Sequence, residues 1–427
     1  MRTLTLSRSE VSGRSLLKVG LFALCAGGAV AACSASSSDG DGFQPDGSGA
    51  AGTSGGEGGL DFTGSSGVGG GGADGPLTQE PDCPTQDADP TNTQDVDNDG
   101  QTAADGDCND CTWQMNSGAQ DYPGNNIDED CNGANDDNPV GCDAALALDS
   151  MDPMDGARAI DLCKVSSGAG WGVVSAEYVT SDGLPLSDPL GHGILGTFGP
   201  SVNVQQGAKM LALSSGTARL PSDSGYYTVG GYDKLYTSAS PPGYPKESPS
   251  CPGIITGEAH DSAALRVTIK TPTNAKSFSF NLDFYTYEFP FFICSTYNDF
   301  FVAMLSPIPS GQTDGNISFD SQGNTISVNA GFLEVCYPQM AGGKNFPCAL
   351  GPTQLAGTGY DEQANGSAAT SWLQTTSPLD NPGQQIELLF AIWDSGDGVL
   401  DSTVLLDNFR FDVEEAPTQT VPVPVPK

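Results

Sequence analysis

The 427-residue chain sets 53 Asp and Glu against 16 Lys and Arg, a formal net charge of -37, so phosphate backbones and anionic lipid surfaces would repel it. With 56 Gly, 30 Pro, 12 Cys and only 16% charged residues, the composition is that of an extracytoplasmic β-rich protein rather than a helical cytoplasmic enzyme. Its only histidines are His192 and His260, which excludes an HExxH zinc site.

The chain opens with Arg2, Arg8, Arg14 and Lys18, followed by an apolar run from Val19 to Val30. A run of about twelve residues is too short for a membrane-spanning helix, so residues 1–32 read as a secretory signal peptide. The run ends in Val30-Ala31-Ala32-Cys33, which resembles the bacterial lipobox. That resemblance implies a lipid on the Cys33 thiol and Cys33 as the first mature residue. Ser34 follows where an inner-membrane lipoprotein would carry Asp, which implies sorting to the outer membrane. The alternative is an ordinary small-residue cleavage site beside an unrelated cysteine. Residues 33–80 are mostly Gly, Ser, Ala and Asp and are expected to form a disordered tether. About fifty such residues give a root-mean-square reach of roughly 35 to 45 Å.

Between Ser34 and Ala157 there are 26 acidic residues and no Lys or Arg. The densest part contains Asp95, Asp97 and Asp99 before Gly100, then Asp105, Asp107 and Asp110, then Asp128 and Asp130. Carboxylates at alternate positions before a glycine converge on one point in a tight loop, which suits a hard cation such as Ca²⁺. A full EF-hand is not expected, because its twelfth position would fall on Gly106 and no amphipathic helices flank the loop. The pieces Asp95 to Gly100, Gly106 to Asp110, Asn116 to Asp121 and Asp128 to Gly133 together resemble the MopE-type metal-binding motif of bacterial surface proteins. Ser117 in place of Pro, Asn109 in place of Asp, and an additional Cys111 depart from that pattern. The resemblance implies a metal-binding module over residues 81–157. Ca²⁺ is the expected ion, with a transition metal and a merely solvated acidic linker as alternatives.

Setting aside Cys25 in the signal peptide and Cys33 leaves ten cysteines, an even number suited to an oxidising compartment. Cys83, Cys108, Cys111, Cys131, Cys142 and Cys163 are expected to staple the acidic module to its neighbours. Cys251 with Cys294 and Cys336 with Cys348 are the expected further bridges. A redox or zinc role for Cys108-x-x-Cys111 lacks a second CxxC or a nearby His.

From about residue 158 short alternating segments such as Leu265 to Ile269 and Phe278 to Phe284 are separated by Gly, Pro, Asn and Asp. This pattern predicts a mainly β fold, a sandwich or jelly roll over 158–414, with a Pro-rich tail at 415–427. The segments Gly191 to Leu195, Asp261 to Leu265, Phe284 to Pro290, Tyr297 to Phe301 and Trp393 to Ser402 resemble the choice-of-anchor L domain of bacterial surface proteins. Phe289 for Tyr and the insertion from Cys336 to Cys348 depart from the family pattern.

Glu288, Asn298, Asp299, Asp394, Asp397 and Asp401 are polar residues at apolar strand borders, so two readings stand side by side: a Ca²⁺-stabilised sandwich edge, and ordinary turns and strand caps. Glu288 and Asp394 would serve glycoside cleavage only at a separation of about 5 Å. His192 and His260 read as turn or core residues. Tyr226, Tyr227, Tyr232, Tyr236 and Tyr244 form an aromatic-rich region that either stacks on sugars or covers a sandwich end. The expected function is that of a lipid-anchored surface protein acting as a structural or adhesion-type interaction module, without catalysis. A glycan-binding module and, after it, a glycan hydrolase are the competing expectations. The expected partners are the membrane through the lipid, and a surface protein or glycan, with no nucleic acid.

Overall fold

Period-two strands bury one face each, so the alternating segments need a second layer to cover them. The computed structural model describes residues 75–84, 89–168, 170–361 and 366–424, all within one unit of the chain. The expected signal peptide, Cys33 and the tether up to residue 74 lie outside the described residues.

The strands run in chain order as β1 (Gly172–Val179), β2 (His192–Leu195), β3 (Met210–Ser214), β4 (Thr237–Ser238), β5 (Ala259–Lys270), β6 (Ser277–Thr286), β7 (Phe300–Ser306) and β8 (Ile326–Ser327). They continue as β9 (Gln339–Ala341), β10 (Lys344–Phe346), β11 (Ala368–Ala369), β12 (Leu373–Pro378), β13 (Gln385–Ser395), β14 (Ser402–Asp412) and β15 (Gln419–Pro422). Two large antiparallel sheets result, one ordered β1-β5-β13-β7-β8 with β4 also on β5, the other β15-β12-β6-β14-β3-β2 with β11 also on β6. The chain changes sheet at each step from β5 to β6 to β7 and again from β12 to β13 to β14, which is how a sandwich encloses a core. The mainly β class expected from the alternation is the fold observed. The expected Pro-rich tail contributes β15 at a sheet edge, where proline is tolerated because no neighbour needs its missing N–H.

The core lies between the sheets. Leu265, Val267 and Ile269 of β5 and Leu388, Phe390 and Ile392 of β13 meet Phe280, Leu282 and Phe284 of β6 and Val404 and Leu406 of β14. Phe280 and Phe390 meet edge to face across the layers at 5.0 Å. The first sheet's other face is also covered, by Ala264, Val302, Ala391 and Trp393 with Tyr244. Burial on both faces is why β7 and β13 read as continuous apolar runs rather than strict alternations.

The Asp-rich region has little regular structure apart from a 3-10 turn at Ala103–Asp105. Disulfides Cys83–Cys111 and Cys108–Cys131 hold it, and Cys142–Cys163 joins the segment that follows. The two cysteines of Cys108-x-x-Cys111 thus take different partners, which removes the redox and zinc alternatives. Cys251–Cys294 and Cys336–Cys348 form the expected bridges, the latter closing the β9–β10 hairpin.

The region is docked on the sandwich. The Asn274 amide donates to Gln114 O and Gln120 O and accepts from Gln120 N at 2.8 to 3.2 Å. Lys276 sits over the Trp113 ring at 4.9 Å, and Lys164 pairs with Asp130 at 3.1 Å. Among the described residues no helix is long and apolar enough to cross a membrane.

Candidate metal centres

In the first Asp loop one oxygen of each carboxylate is used to shape the backbone. Asp95 accepts from Gly100 N, Asp97 from Asp99 N, and Asp99 from Gln101 N. Gly100 takes φ 94, a left-handed conformation that a side chain would strain. The second arm joins the first through Asp110, which accepts from Val96 N, while Asp107 accepts from Asn109 N. The remaining oxygens, Asp95 Oδ1, Asp97 Oδ2, Asp107 Oδ2, Asp110 Oδ2 and Asn109 Oδ1, are buried without a hydrogen-bond partner.

Ligand oxygens of Asp95, Asp97 and Asp99, and again of Asp97, Asp107 and Asp110, lie within 4.8 Å of one another. Asp97 is shared by the two groups. Burial pushes the Asp97 and Asp107 carboxyls up to about 7 and Asp99 up to about 6, and adjacent carboxylates add to the rise. Groups held this way resist ionisation until a cation compensates them. The arrangement is able to hold a metal ion through oxygen alone.

The other acidic loop differs. Asp128 and Asp130 gather with Asp121, the last residue of the Asn116 to Asp121 piece and not one of the expected ligands. Asp121 already accepts from Glu129 N, Asp130 N and Asp137 N, Asp128 from Asn132 N and Gly133 N, and Asp130 pairs with Lys164. These carboxylates serve the local backbone and the docking to the sandwich. Asp105 joins none of the groups and instead accepts from the Thr102 hydroxyl.

In the β domain three carboxylates converge, those of Glu288, Asp299 and Asp394, with ligand oxygens within 4.8 Å of one another. Strand parity explains the convergence. Asp299 shares the inward face of Phe301, Ala303 and Leu305, and Asp394 that of Phe390 and Ile392. Glu288 continues the inward face of Phe280, Leu282 and Phe284 beyond the end of β6. A register shift between Ile392 and Asp394 marks a bulge beside the cluster, a common device for aiming a side chain.

Glu288 and Asp394 are each 1% exposed and Asp299 is 0% exposed. Both oxygens of Asp299 and both of Asp394 lack a hydrogen-bond partner, while Glu288 Oε2 accepts from Asp299 N at 3.1 Å. Burial raises all three carboxyls, Asp299 to about 7 and the other two well above the carboxylate range, and their mutual repulsion adds to the rise in Glu288 and Asp394.

The other predicted residues of this region are placed differently. Asn298 is fully buried, with neither amide atom partnered. Asp397 stands in the β13–β14 turn and accepts from Val399 N, as turn chemistry requires. Asp401 has the opposite parity to Ser402, Val404 and Leu406, and packs so closely on Gly216 that any side chain there would overlap it.

His192 is a core residue. Its ring stacks on Tyr178 at 3.7 Å, and burial pushes the imidazole down to about 4. His260 lies on β5 opposite Asp394 and Thr237. Tyr232 bonds Asp188, Tyr236 bonds Ser262 O, and Tyr244 packs on Phe300 and Trp393, so these three fasten loops to the sandwich. Tyr227 lies against Tyr232 with the rings tilted by 31° and stays half exposed, and Tyr226 lies against Gly359.

A further acid pair was not legible in the sequence. Asp161 and Asp407 face each other, and burial pushes Asp407 up to about 8 and Asp161 up to about 6. The folded pair therefore binds more protons than the unfolded chain above the ordinary carboxylate range. Its stabilising contribution is complete at low pH and is lost as pH rises through about 8. Asp407→Asn is expected to reduce the fall in unfolding free energy between about pH 5 and about pH 8.5 by more than about 1.4 kcal/mol, the equivalent of a tenfold difference in proton affinity. Equal falls in urea titrations of the two proteins would show that no proton is held there.

No family model matches the chain, and no curated protein matches it. Among solved structures it is similar to the enzymatically active domain of tailspike protein 4 of bacteriophage CBA120, with 9% identity and a TM-score of 0.18. The match covers 56% of this chain and 19% of that one, so the chain spans about one fifth of the tailspike domain's length, and a likeness this low carries no argument about function.

Proposed function

We propose that the chain is a lipid-anchored protein of the outer membrane or cell surface, in which Ca²⁺ orders a MopE-type module docked on a choice-of-anchor L-like sandwich. The whole acts as a structural or adhesion-type interaction module. The observation that carries this reading is the set of buried, unpartnered oxygens of Asp95, Asp97, Asp107, Asn109 and Asp110. An all-oxygen donor set favours Ca²⁺ over a transition metal, and the ten described cysteines, all in disulfides, offer no thiolate. The Glu288 and Asp394 oxygens come within the roughly 5 Å that glycoside cleavage would use, but both groups are closed off from substrate, which favours a non-catalytic role.

Glycan binding is a second reading, favoured by a cleft of about 800 Å³ where the module meets the sandwich, lined by Tyr122, Asn138, Asp161, Trp171 and Arg410. Aromatic faces beside hydrogen-bonding groups suit a sugar. Binding on a glycan array that is lost in Trp171→Ala would favour it over the interaction module.

The anchoring rests on the Cys33 thiol as the acylated group. Cys33→Ser is expected to release the protein from membrane fractions or leave it unprocessed. A variant that stays membrane-bound with an unchanged mature mass would overturn the lipoprotein reading.

A further inference from the structure

We propose that Glu288, Asp299 and Asp394 form a second, fully enclosed site for a divalent cation, which clips the two sheets of the sandwich together at one end. The site is separate from the Asp-rich module and does not rest on the function proposed for it. Asp299 and Asp394 border β7 and β13 of one sheet, whereas Glu288 follows β6 of the other. An ion bound by all three would therefore bridge the layers where the apolar core ends.

Two observations point to a ligand beyond the clustering itself. Four carboxylate oxygens, those of Asp299 and Asp394, are shut away from water, with each other, the Ser402 hydroxyl and the Ser395 N–H beside them but no donor in full hydrogen-bond geometry. Ser402 belongs to the opposite sheet, is 0% exposed, and turns its hydroxyl toward Asp299 without reaching full hydrogen-bond geometry there or with any other group. Among the described residues no ion pair reaches the three acids. Leaving such groups buried and unpaired is costly, and metal coordination is one of the few ways in which proteins retain them.

The all-oxygen donor set suits a hard cation such as Ca²⁺, and the spacing is compatible with it. Ca²⁺ holds oxygens at about 2.3–2.6 Å, so ligands on opposite sides of it stand roughly 4.6 to 5.2 Å apart. The separation of at most 4.8 Å among the three acids accommodates that ion. The enclosure leaves no route for a substrate, so the site is structural.

The test counts Ca²⁺ per chain by mass spectrometry on the mature protein after desalting from millimolar Ca²⁺. Glu288→Gln with Asp394→Asn, both close in volume to the originals, is expected to lose one ion relative to the parent chain and to lower the melting temperature in Ca²⁺. The module variant Asp97→Ala with Asp107→Ala is expected to keep that ion. An unchanged count in the first variant overturns the proposal, as does a module variant that holds no ion. A module variant that retains one ion, lost again when the first pair of substitutions is added, supports it whatever becomes of the module's own metal.

If the first variant does not fold, Tb³⁺ in the module variant decides the matter. Trp393 adjoins Asp394, so Trp393→Phe is expected to abolish tryptophan-sensitised Tb³⁺ emission there. Undiminished emission overturns the proposal.

Discussion

Removing Ca²⁺ from the mature chain is expected to lower its melting temperature by roughly 5 °C or more, and Asp97→Ala with Asp107→Ala to remove the module's share of that difference. An ion that binds the folded form alone stabilises it by about 2.7 kcal/mol at a hundredfold excess over its dissociation constant. Each kcal/mol moves the melting point of a domain of about 150–250 residues by roughly 2–4 °C. Asp97 is the residue to change because it belongs to both oxygen groups, and Asp107 because its free oxygen is buried without a partner. Calorimetry in Ca²⁺ and in chelator checks it. Identical melting in both, with no bound ion, would return the module to a solvated acidic spacer.

Asn274→Ala is expected to destabilise the protein by about 3 kcal/mol, through the module's seat on the sandwich. The side chain is almost wholly buried and makes three hydrogen bonds to the backbone of Gln114 and Gln120. Truncation strands a buried N–H and two carbonyls, and an unsatisfied buried group costs about 1–3 kcal/mol before relaxation. The module should then exchange its amide hydrogens faster while the strands of the sandwich keep their protection. Denaturant unfolding that shifts by less than about 1 kcal/mol would show that the docking rests elsewhere.

The β class, the short Cys336–Cys348 bridge and the carboxylate loops ending in glycine were legible in the sequence because each is a local pattern, whereas Cys251 and Cys294, 43 residues apart, are brought together by the fold. Alternation at Phe278, Phe280, Leu282 and Phe284 requires a one-sided strand, and Asp95 to Gly100 requires a turn that bends carboxylates together. Local patterns do not say which oxygens remain free after the backbone is satisfied. That was decided by contacts distant in sequence, such as Asp110 with Val96 and Asp130 with Lys164. Only the packed sheets decided that Asp299 and Asp394 meet Glu288 while Asp401 turns to the opposite face. Parity assigns a residue to one side of its own strand, but the partner sheet determines which side is closed to water.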